Sequence, residues 1–527
     1  MANNQLFKSL MGRLLPKADA INEAGGTAYQ FSATHALAQY AATGCLNGTY
    51  YASAETQLEK VLGLCAQVEP LMLAKIAVYC REYGYMKDMP ALLLASLSLN
   101  GTEYLSAAFP RVVDNGKMLR NFVQILRSGA VGRKSLGTRP KKLVQNWLNT
   151  ASEQALLSAA VGNAPSLADV VKMVHPKPEE SWREAFFAWL IGKPYNEAQL
   201  PPATRAFEQY KRTGQSENGE LPAVPFQMLT SLALTTEDWA QIARQGSWQM
   251  VRMNLNTFAR HGVFELPGIA KEIAAKLRDR NNIARAKVFP YQLMTAYQAA
   301  NQSIPLVIRE ALQDALEIAL ENVPAINGKV VVCPDVSGSM HSSITGYRQG
   351  ATSVTRCVDV AGLIAATYLR KQRDTLVLPF EFSVVGADRV GLNPRDTVLT
   401  NAAKLAAACG GGTDCSAPLK WLNDKNIQAD LVLLVSDNES WMNVNRYGDK
   451  ATETMRQWER FKRRNPQAKL VCLDMQPYAT SQAQERDDIL NIGGFSDVVF
   501  KMITAFAHGQ MQSEHWIGEI NKVTLSQ

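Results

Sequence analysis

A chain of 527 residues with 46% hydrophobic side chains is long enough for more than one domain and too apolar to be a disordered or low-complexity protein. Its net charge of +7 is modest but uneven: 33 of the 55 Lys and Arg and 26 of the 48 Asp and Glu lie before residue 321, so the whole surplus belongs to the first part and points to polyanion binding there. Eight cysteines without a CxxC pair predict free thiols in a reducing compartment rather than a disulfide or zinc framework; no run approaches about 20 apolar residues, and a cytoplasmic protein without membrane contact is expected.

From Thr27 to Leu320 the pattern predicts many helices, short connections and almost no strand. Amphipathic stretches fall at 53–65, 70–83, 90–98, 118–128, 140–149, 152–161, 181–191, 226–233, 238–243, 248–261, 268–279, 290–299 and 304–320. Several begin with Pro or with Ser or Asp at the cap or first-turn position, and Ser166 or Asp169 is placed to cap one further helix. Helices of about 10 to 17 residues taken two by two fit an irregular α-solenoid of HEAT-like repeats. Residues 211–221, KRTGQSENGEL, predict an exposed loop, and 321–329 a linker. The division expected is therefore 1–325 and 326–527.

At Val330 the period changes. Strands are predicted at 330–333, 375–382, 430–435, 469–473 and 497–499, alternating with helices at 356–373, 400–408, 415–422 and 452–465. This alternation predicts a doubly wound α/β domain with a parallel sheet. The tail at 521–525 reads as an added strand or as a strap back onto the first domain.

The first of these strands stops at Asp335, Ser337 and Ser339, three oxygen-bearing side chains spaced two apart. Later loops add Thr413, after three glycines, and Asp437, at the end of another apolar run. In an open α/β sheet such positions share one crevice at the carboxyl ends of the strands. Hard oxygen ligands with few charges and room for water suit Mg²⁺ better than Zn²⁺ or Ca²⁺, and the expected cofactor is Mg²⁺ or another divalent cation. The competing structural reading has Ser337 and Thr413 capping helices and Asp335 accepting backbone N–H groups. The sequence supplies no base beside these carboxylates and no Walker A motif, which argues against a phosphohydrolase.

Basic side chains concentrate between Arg111 and Lys142, where nine Lys or Arg accompany one acid, Asp114. Arg127, Arg133, Lys134, Arg139, Lys141 and Lys142 surround a glycine- and proline-containing loop and the first turn of a helix, an arrangement suited to gripping phosphates. A weaker cluster, Lys271, Lys276, Arg278, Arg280, Arg285 and Lys287, is interleaved with Glu272 and Asp279. Phe122, Trp147, Trp182 and Phe258 sit among apolar neighbours and are expected to pack rather than stack on bases.

Residues 334–340, PDVSGSM, with GGTD at 411–414 and SDNES at 436–440, resemble a von Willebrand factor A domain with a complete metal-ion-dependent adhesion site. Residues 128–147, SGAVGRKSLGTRPKKLVQNW, and 165–178, PSLADVVKMVHPKP, resemble the TROVE domain of the Ro60 family, so the resemblance covers nearly the whole chain. It implies a monomeric ring of helical repeats followed by an A-type domain, and a non-catalytic RNA-binding protein of RNA quality control, processing or decay. Its implied partners are structured small non-coding Y-like RNA, single-stranded RNA 3′ ends and a 3′-to-5′ exoribonuclease tethered through RNA. It also makes Lys172 and His175, otherwise an unremarked lysine and a structural histidine, candidate RNA contacts. The rival reading is a Mg²⁺-dependent protein-interaction scaffold with secondary RNA binding.

Overall fold

The computed structural model describes residues 15–44, 46–215, 219–286, 288, 290–321, 323–347, 355–372, 374–441, 451–511 and 514–525. Cys45, Lys287 and part of the 211–221 loop lie outside them. The chain forms two compact units. One comprises the residues up to Val68, Phe289–Tyr291 and Leu320–Lys522; the other comprises Glu69–Val288, Gln292–Ala319 and Val523–Gln527. Three segments thus stand across the boundary read from the sequence pattern: one from each end of the chain and the short stretch Phe289–Tyr291.

The α/β unit is built on a five-stranded sheet, β3 (Val330–Pro334), β4 (Leu376–Val377), β5 (Leu431–Ser436), β6 (Lys469–Asp474) and β8 (Ile489–Gly493), in the order β4-β3-β5-β6-β8. Every pair is parallel, with Val332 opposite Leu433 and Leu433 opposite Val471. Continuous apolar runs form these strands because both faces are covered. Val331, Cys333, Val432, Leu434, Leu470 and Cys472 join Leu419, Leu422, Trp458 and Phe461 of helices Ala417–Asp424 and Glu453–Arg464 in one core cluster. Helix Cys357–Lys371 packs on β3 and on helix Val398–Ala407. The chain leaves β3 for β4 on one side and returns to β5 on the other, so the strand order reverses between β3 and β5. That reversal opens the crevice in which the two strand-terminal aspartates meet.

Two sequence expectations in this unit are corrected. Residues 497–499 are not a strand: they open helix Asp497–Ala507, whose buried Val499, Met502, Ile503 and Phe506 repeat at helical spacing. The fifth strand is β8, disguised by Asn491 in its centre; that side chain is buried, accepting from Ser481 Oγ at 2.6 Å and donating to the Ala483 carbonyl at 3.0 Å. The strand expected at 375–382 is regular only over Leu376–Val377, although Leu378 and Phe380 still donate to Val332 and Pro334; Pro379 takes the alternate position on this edge strand, where an N–H would face away from β3.

The N-terminal segment completes the same unit. β1 (Ala20–Ile21) pairs with β2 (Thr27–Gln30), which pairs antiparallel with β7 (Thr480–Ser481). Helix Ala33–Thr43, capped by Ser32, packs on β8 and buries His35, Leu37, Gln39 and Tyr40. These contacts span more than four hundred residues and leave no mark in local periodicity, which is why the strand β2 was not expected.

The second unit is helical. Pro70–Glu82 packs on Asp88–Asn100 and Thr102–Val112, and Asp88–Asn100 on Gly116–Arg127, the neighbour-on-neighbour arrangement of helical repeats. Side-chain caps at Asn115, Ser152, Thr235 and Ser247 start helices where the pattern placed them. The helix expected at 248–261 is two pieces, Trp248–Met253 and Leu255–Arg260, with Asn254 turning its amide back to the Met250 carbonyl at 2.8 Å. The stretch 226–233 is helical only over Phe226–Leu229. The tail is a strap rather than a strand: after helix His515–Asn521, Val523 onward groups with the helical unit, where Arg111 Nη1 donates to the Thr524 carbonyl at 2.6 Å. The cysteines at 65, 80, 333, 357, 409, 415 and 472 are free thiols, and no helix among the described residues is long and apolar enough to cross a membrane.

His35 gives this architecture a pH signature. It is stacked on Phe31 with ring centroids 4.3 Å apart and meets the edge of Trp516 at 5.7 Å; burial lowers its pKa to about 4. Unfolding restores a histidine pKa of about 6.5, so the unfolded chain takes up the proton first and stability falls as the pH drops from about 6.5 to 4. The α/β unit should lose about 3 kcal/mol over that window through this residue alone, and chemical denaturation at pH 7 and pH 4.5 should show a smaller loss in His35→Phe than in the parent chain.

Candidate cation and nucleic-acid sites

Asp335 follows β3 directly, and its backbone N–H donates to the Val435 carbonyl at 2.8 Å, locking the two strand ends together. Its carboxylate accepts from the Ser337 N–H at 2.8 Å and from Ser436 Oγ at 2.6 Å. Ser337 Oγ and Ser339 Oγ lie 3.3 Å apart. The glycine loop is brought in by main-chain bonds: Gly338 N–H donates to the Gly411 carbonyl at 2.9 Å and Gly410 N–H to that of Val336 at 2.7 Å. Gly411 has φ +75°, a conformation that carries the chain round to Thr413 without the penalty a side chain would bring. Asp437 follows β5 and accepts from the Glu439 N–H at 3.2 Å.

All five side chains are buried, none more than 5% exposed. Neither hydroxyl serves as a helix cap: Ser337 precedes the short turn Gly338–His341 without a capping bond, and the helix after Thr413 begins at Ser416. Burial, followed by the field of Asp437, drives the Asp335 carboxyl well above the usual range, and burial raises Asp437 as well. Among the described residues no Lys or Arg pairs with either carboxylate, and Asp437 Oδ2 is buried without a hydrogen-bond partner. Two facing carboxylates, three hydroxyls and an orphaned oxygen suit a hard divalent cation. Among the described residues, no three His, Cys, Asp or Glu side chains form a metal-holding group, so hydroxyls would make up most of this ligand set.

Several partners of this centre were not foreseen. Ser436 holds Asp335 from the neighbouring strand, a role legible only in the residue immediately before Asp437. A cavity of about 240 Å³ opens over Ser339 and Thr413, and Ala24, Tyr50, Tyr51 and Trp441 line its remaining walls. The first three of these come from the N-terminal segment, which nothing in the motif announces.

In the helical unit the two basic stretches meet. Gln145 Nε2, on helix Thr138–Thr150, donates to the Val174 carbonyl at 2.6 Å, and Asn149 Nδ2 to that of Lys177 at 3.3 Å. Lys141 lies one turn before Gln145 on the same helical face. Helix Leu167–Val174 starts from a capping box, with Ser166 Oγ accepting from the Asp169 N–H and Asp169 accepting from that of Ser166, and ends on His175 at φ +50°. Arg127 Nη1 reaches Met173 Sδ at 3.0 Å. Lys134, Lys142, Lys172 and His175 are exposed, and Lys141 is partly so. Two of the expected contacts also hold the local structure: Arg133 donates to the carbonyls of Ser135 and Ser98, and Arg139 to that of Thr102. In the weaker cluster Lys276 donates to Arg244 and Gly246 carbonyls and Arg278 pairs with Asp314 at 3.2 Å. Phe122 and Phe258 are core, while Trp147 and Trp182 are partly exposed and Arg183 lies 4.2 Å over the Trp182 ring.

Comparison with known proteins agrees with this division. Residues 329–507 match the family model of the Ro60 vWA domain. The RNA-binding protein RO60 of Deinococcus radiodurans is 25% identical over 93% of this chain and 95% of its own length. That of Caenorhabditis elegans is 24% identical over 45% of this chain and 37% of its own. The crystal structure of the Deinococcus radiodurans RO (RSR) protein superposes with a TM-score of 0.61 at 20% identity, covering 91% of this chain and all of that one, and so shares the fold. With its helical repeats, its parallel α/β unit and similarity running through both, the chain is similar to the RO60 proteins along nearly its whole length, and its residues 329–507 match the Ro60 vWA domain.

Proposed function

We propose that the protein is a non-catalytic RNA-binding protein whose helical unit holds structured small non-coding RNA through Lys134, Lys141, Lys142, Lys172 and His175, with Arg127 at the edge of the patch. The observation that carries this reading is the junction of two separate basic stretches into one exposed surface with no acid paired to its lysines among the described residues. Two relatives bear the name RNA-binding protein. Lysines without partners retain their mobility and their counterions, and release of those counterions drives phosphate binding. Arg133 and Arg139 then act by holding the loop. Single-stranded 3′ ends as a further ligand, a 3′-to-5′ exoribonuclease as an RNA-tethered partner, roles in quality control or decay, and a cytoplasmic setting belong to the same proposal.

The α/β unit would bind Mg²⁺, or another divalent cation, through Asp335, Ser337, Ser339, Thr413 and Asp437. The cation would offset the charge of two buried carboxylates and leave a position open toward the cavity. A second reading, an interaction scaffold for proteins, is favoured by the side chains at that mouth: Tyr50 and Trp441 are exposed, and no basic side chain lines the cavity among the described residues.

Gel-shift titration across salt tests the RNA surface. Replacing Lys134, Lys141, Lys142 and Lys172 together by Ala should weaken binding at least ten-fold and lower the slope of log K against log salt by about 3; unchanged affinity and slope would move the RNA site elsewhere. Cation binding is tested by melting. Saturating Mg²⁺ at about a hundred times its Kd should stabilise the parent α/β unit by about 2.7 kcal/mol, and Asp335→Ala should abolish that increment. Because Asp335 lies outside the helical unit, RNA affinity of the folded Asp335→Ala protein should stay within about two-fold of the parent.

A further inference from the structure

We propose that the N-terminal turn at residues 22–26, together with the Tyr51 hydroxyl, positions the cation ligands from outside the motif, so that docking of this segment and cation binding strengthen one another. The inference rests on the cation reading above.

Asp437 and Thr413 arrive on different loops, and residues 439–441 bracket both. Glu439 N–H donates to Asp437 Oδ1 at 3.2 Å, Cys415 N–H to Ser440 Oγ at 3.1 Å, and Trp441 N–H to the Thr413 carbonyl at 3.1 Å. The turn at 22–26 grips this bracket from the opposite side. Asn22 Nδ2 donates to the Ser440 carbonyl at 2.9 Å, and Ala24 N–H donates to Glu439 Oε2 at 3.0 Å. Asn22 also closes the turn on itself, accepting from the Gly26 N–H at 2.6 Å. A Cβ on Gly26 would lie 2.1 Å from the Ser440 carbonyl oxygen, so the glycine is there to permit contact between two backbones.

Glu439 makes this grip consequential. It is fully buried, its Oε1 has no partner, and it lies in the field of Asp437. The Ala24 N–H is the donor that makes its burial tolerable, and without it the bracket would shift to bring Glu439 toward water. On the other flank, Tyr51 lines the same cavity as Ser339 and Thr413. Its ring meets that of Tyr478 edge-on at 6.0 Å, and Tyr478 donates its hydroxyl to Thr49 Oγ1 at 3.1 Å. The segment therefore stands against three of the five ligands, beside Ser339 in the cavity wall and on Asp437 and Thr413 through the bracket. None of its residues needs to touch the cation to set the spacing of those that do.

The test uses the full chain, Mn²⁺ binding followed by electron paramagnetic resonance with Mg²⁺ competition, and hydrogen exchange. Tyr51→Phe should weaken Mg²⁺ binding about three- to ten-fold, and Gly26→Ala about ten-fold or more. Reciprocity requires that Mg²⁺ slow amide exchange at residues 22–30 in the parent protein, a response that a merely structural turn would not give. Parent-like affinity in Tyr51→Phe together with exchange at 22–30 indifferent to Mg²⁺ would overturn the proposal, including in the event that Gly26→Ala does not fold. A parent protein that binds neither Mn²⁺ nor Mg²⁺ would instead overturn the cation reading itself, and this inference with it.

Discussion

Two carboxylates buried side by side, with no basic group paired to them among the described residues, are the constraint around which the α/β unit is arranged. Such a pair is unfavourable by several kcal/mol unless hydrogen bonds or a cation compensate it. Asp335 and Asp437 meet because β3 and β5 are adjacent parallel strands that end at the same level, with Pro334 opposite Val435 in the register. Everything nearby serves oxygen rather than charge: Ser436 and the Ser337 N–H satisfy one carboxylate, the Glu439 N–H part of the other, and glycines let the third loop approach. What is left over, a single unsatisfied oxygen on Asp437, points to the chemistry that the protein side chains do not supply.

The helical unit solves a different problem with a similar economy. Several of its arginines are spent on backbone carbonyls: Arg111, Arg120, Arg133, Arg139 and Arg183 each reach at least one. A planar guanidinium with several donors is suited to that work, tying loops and helix ends that would otherwise leave acceptors unmet. The lysines beside them are exposed and unengaged. A rigid frame held by arginines thus presents mobile cations, a combination suited to a charged polymer that must be gripped without being read base by base.

How much of this was legible in the sequence follows from the range of the forces involved. Helix and strand positions were readable wherever local periodicity and caps decide them, as at the helices over 70–82 and 138–150, and all five oxygen side chains could be placed at one crevice because strand ends converge there by topology. One error falls where a buried polar residue overrides the pattern, at Asn491. Arg133 and Arg139 could not be distinguished from Lys134 and Lys141 by composition, since their partners are carbonyls of residues far along the chain. The contribution of residues 20–51 to the α/β unit was invisible altogether, because β2 finds its partner at the far end of the chain, with Gln30 opposite Thr480, and no local rule anticipates such a pairing.

That separation has a consequence for how the molecule is made. A ribosome adds about 5–20 residues per second, so helix Ala33–Thr43 emerges roughly half a minute or more before the strand β8 that it covers exists. During that interval a mostly apolar helix and an unpaired strand must stay out of trouble, while the helical unit, whose contacts are between neighbours, folds as it appears. Synthesis therefore runs from an unfinished end through a finished middle, and the last strands to be made are those that allow the first ones to fold. Chaperone dependence in this chain should accordingly be concentrated at its beginning, among residues that in the finished protein are as buried as any.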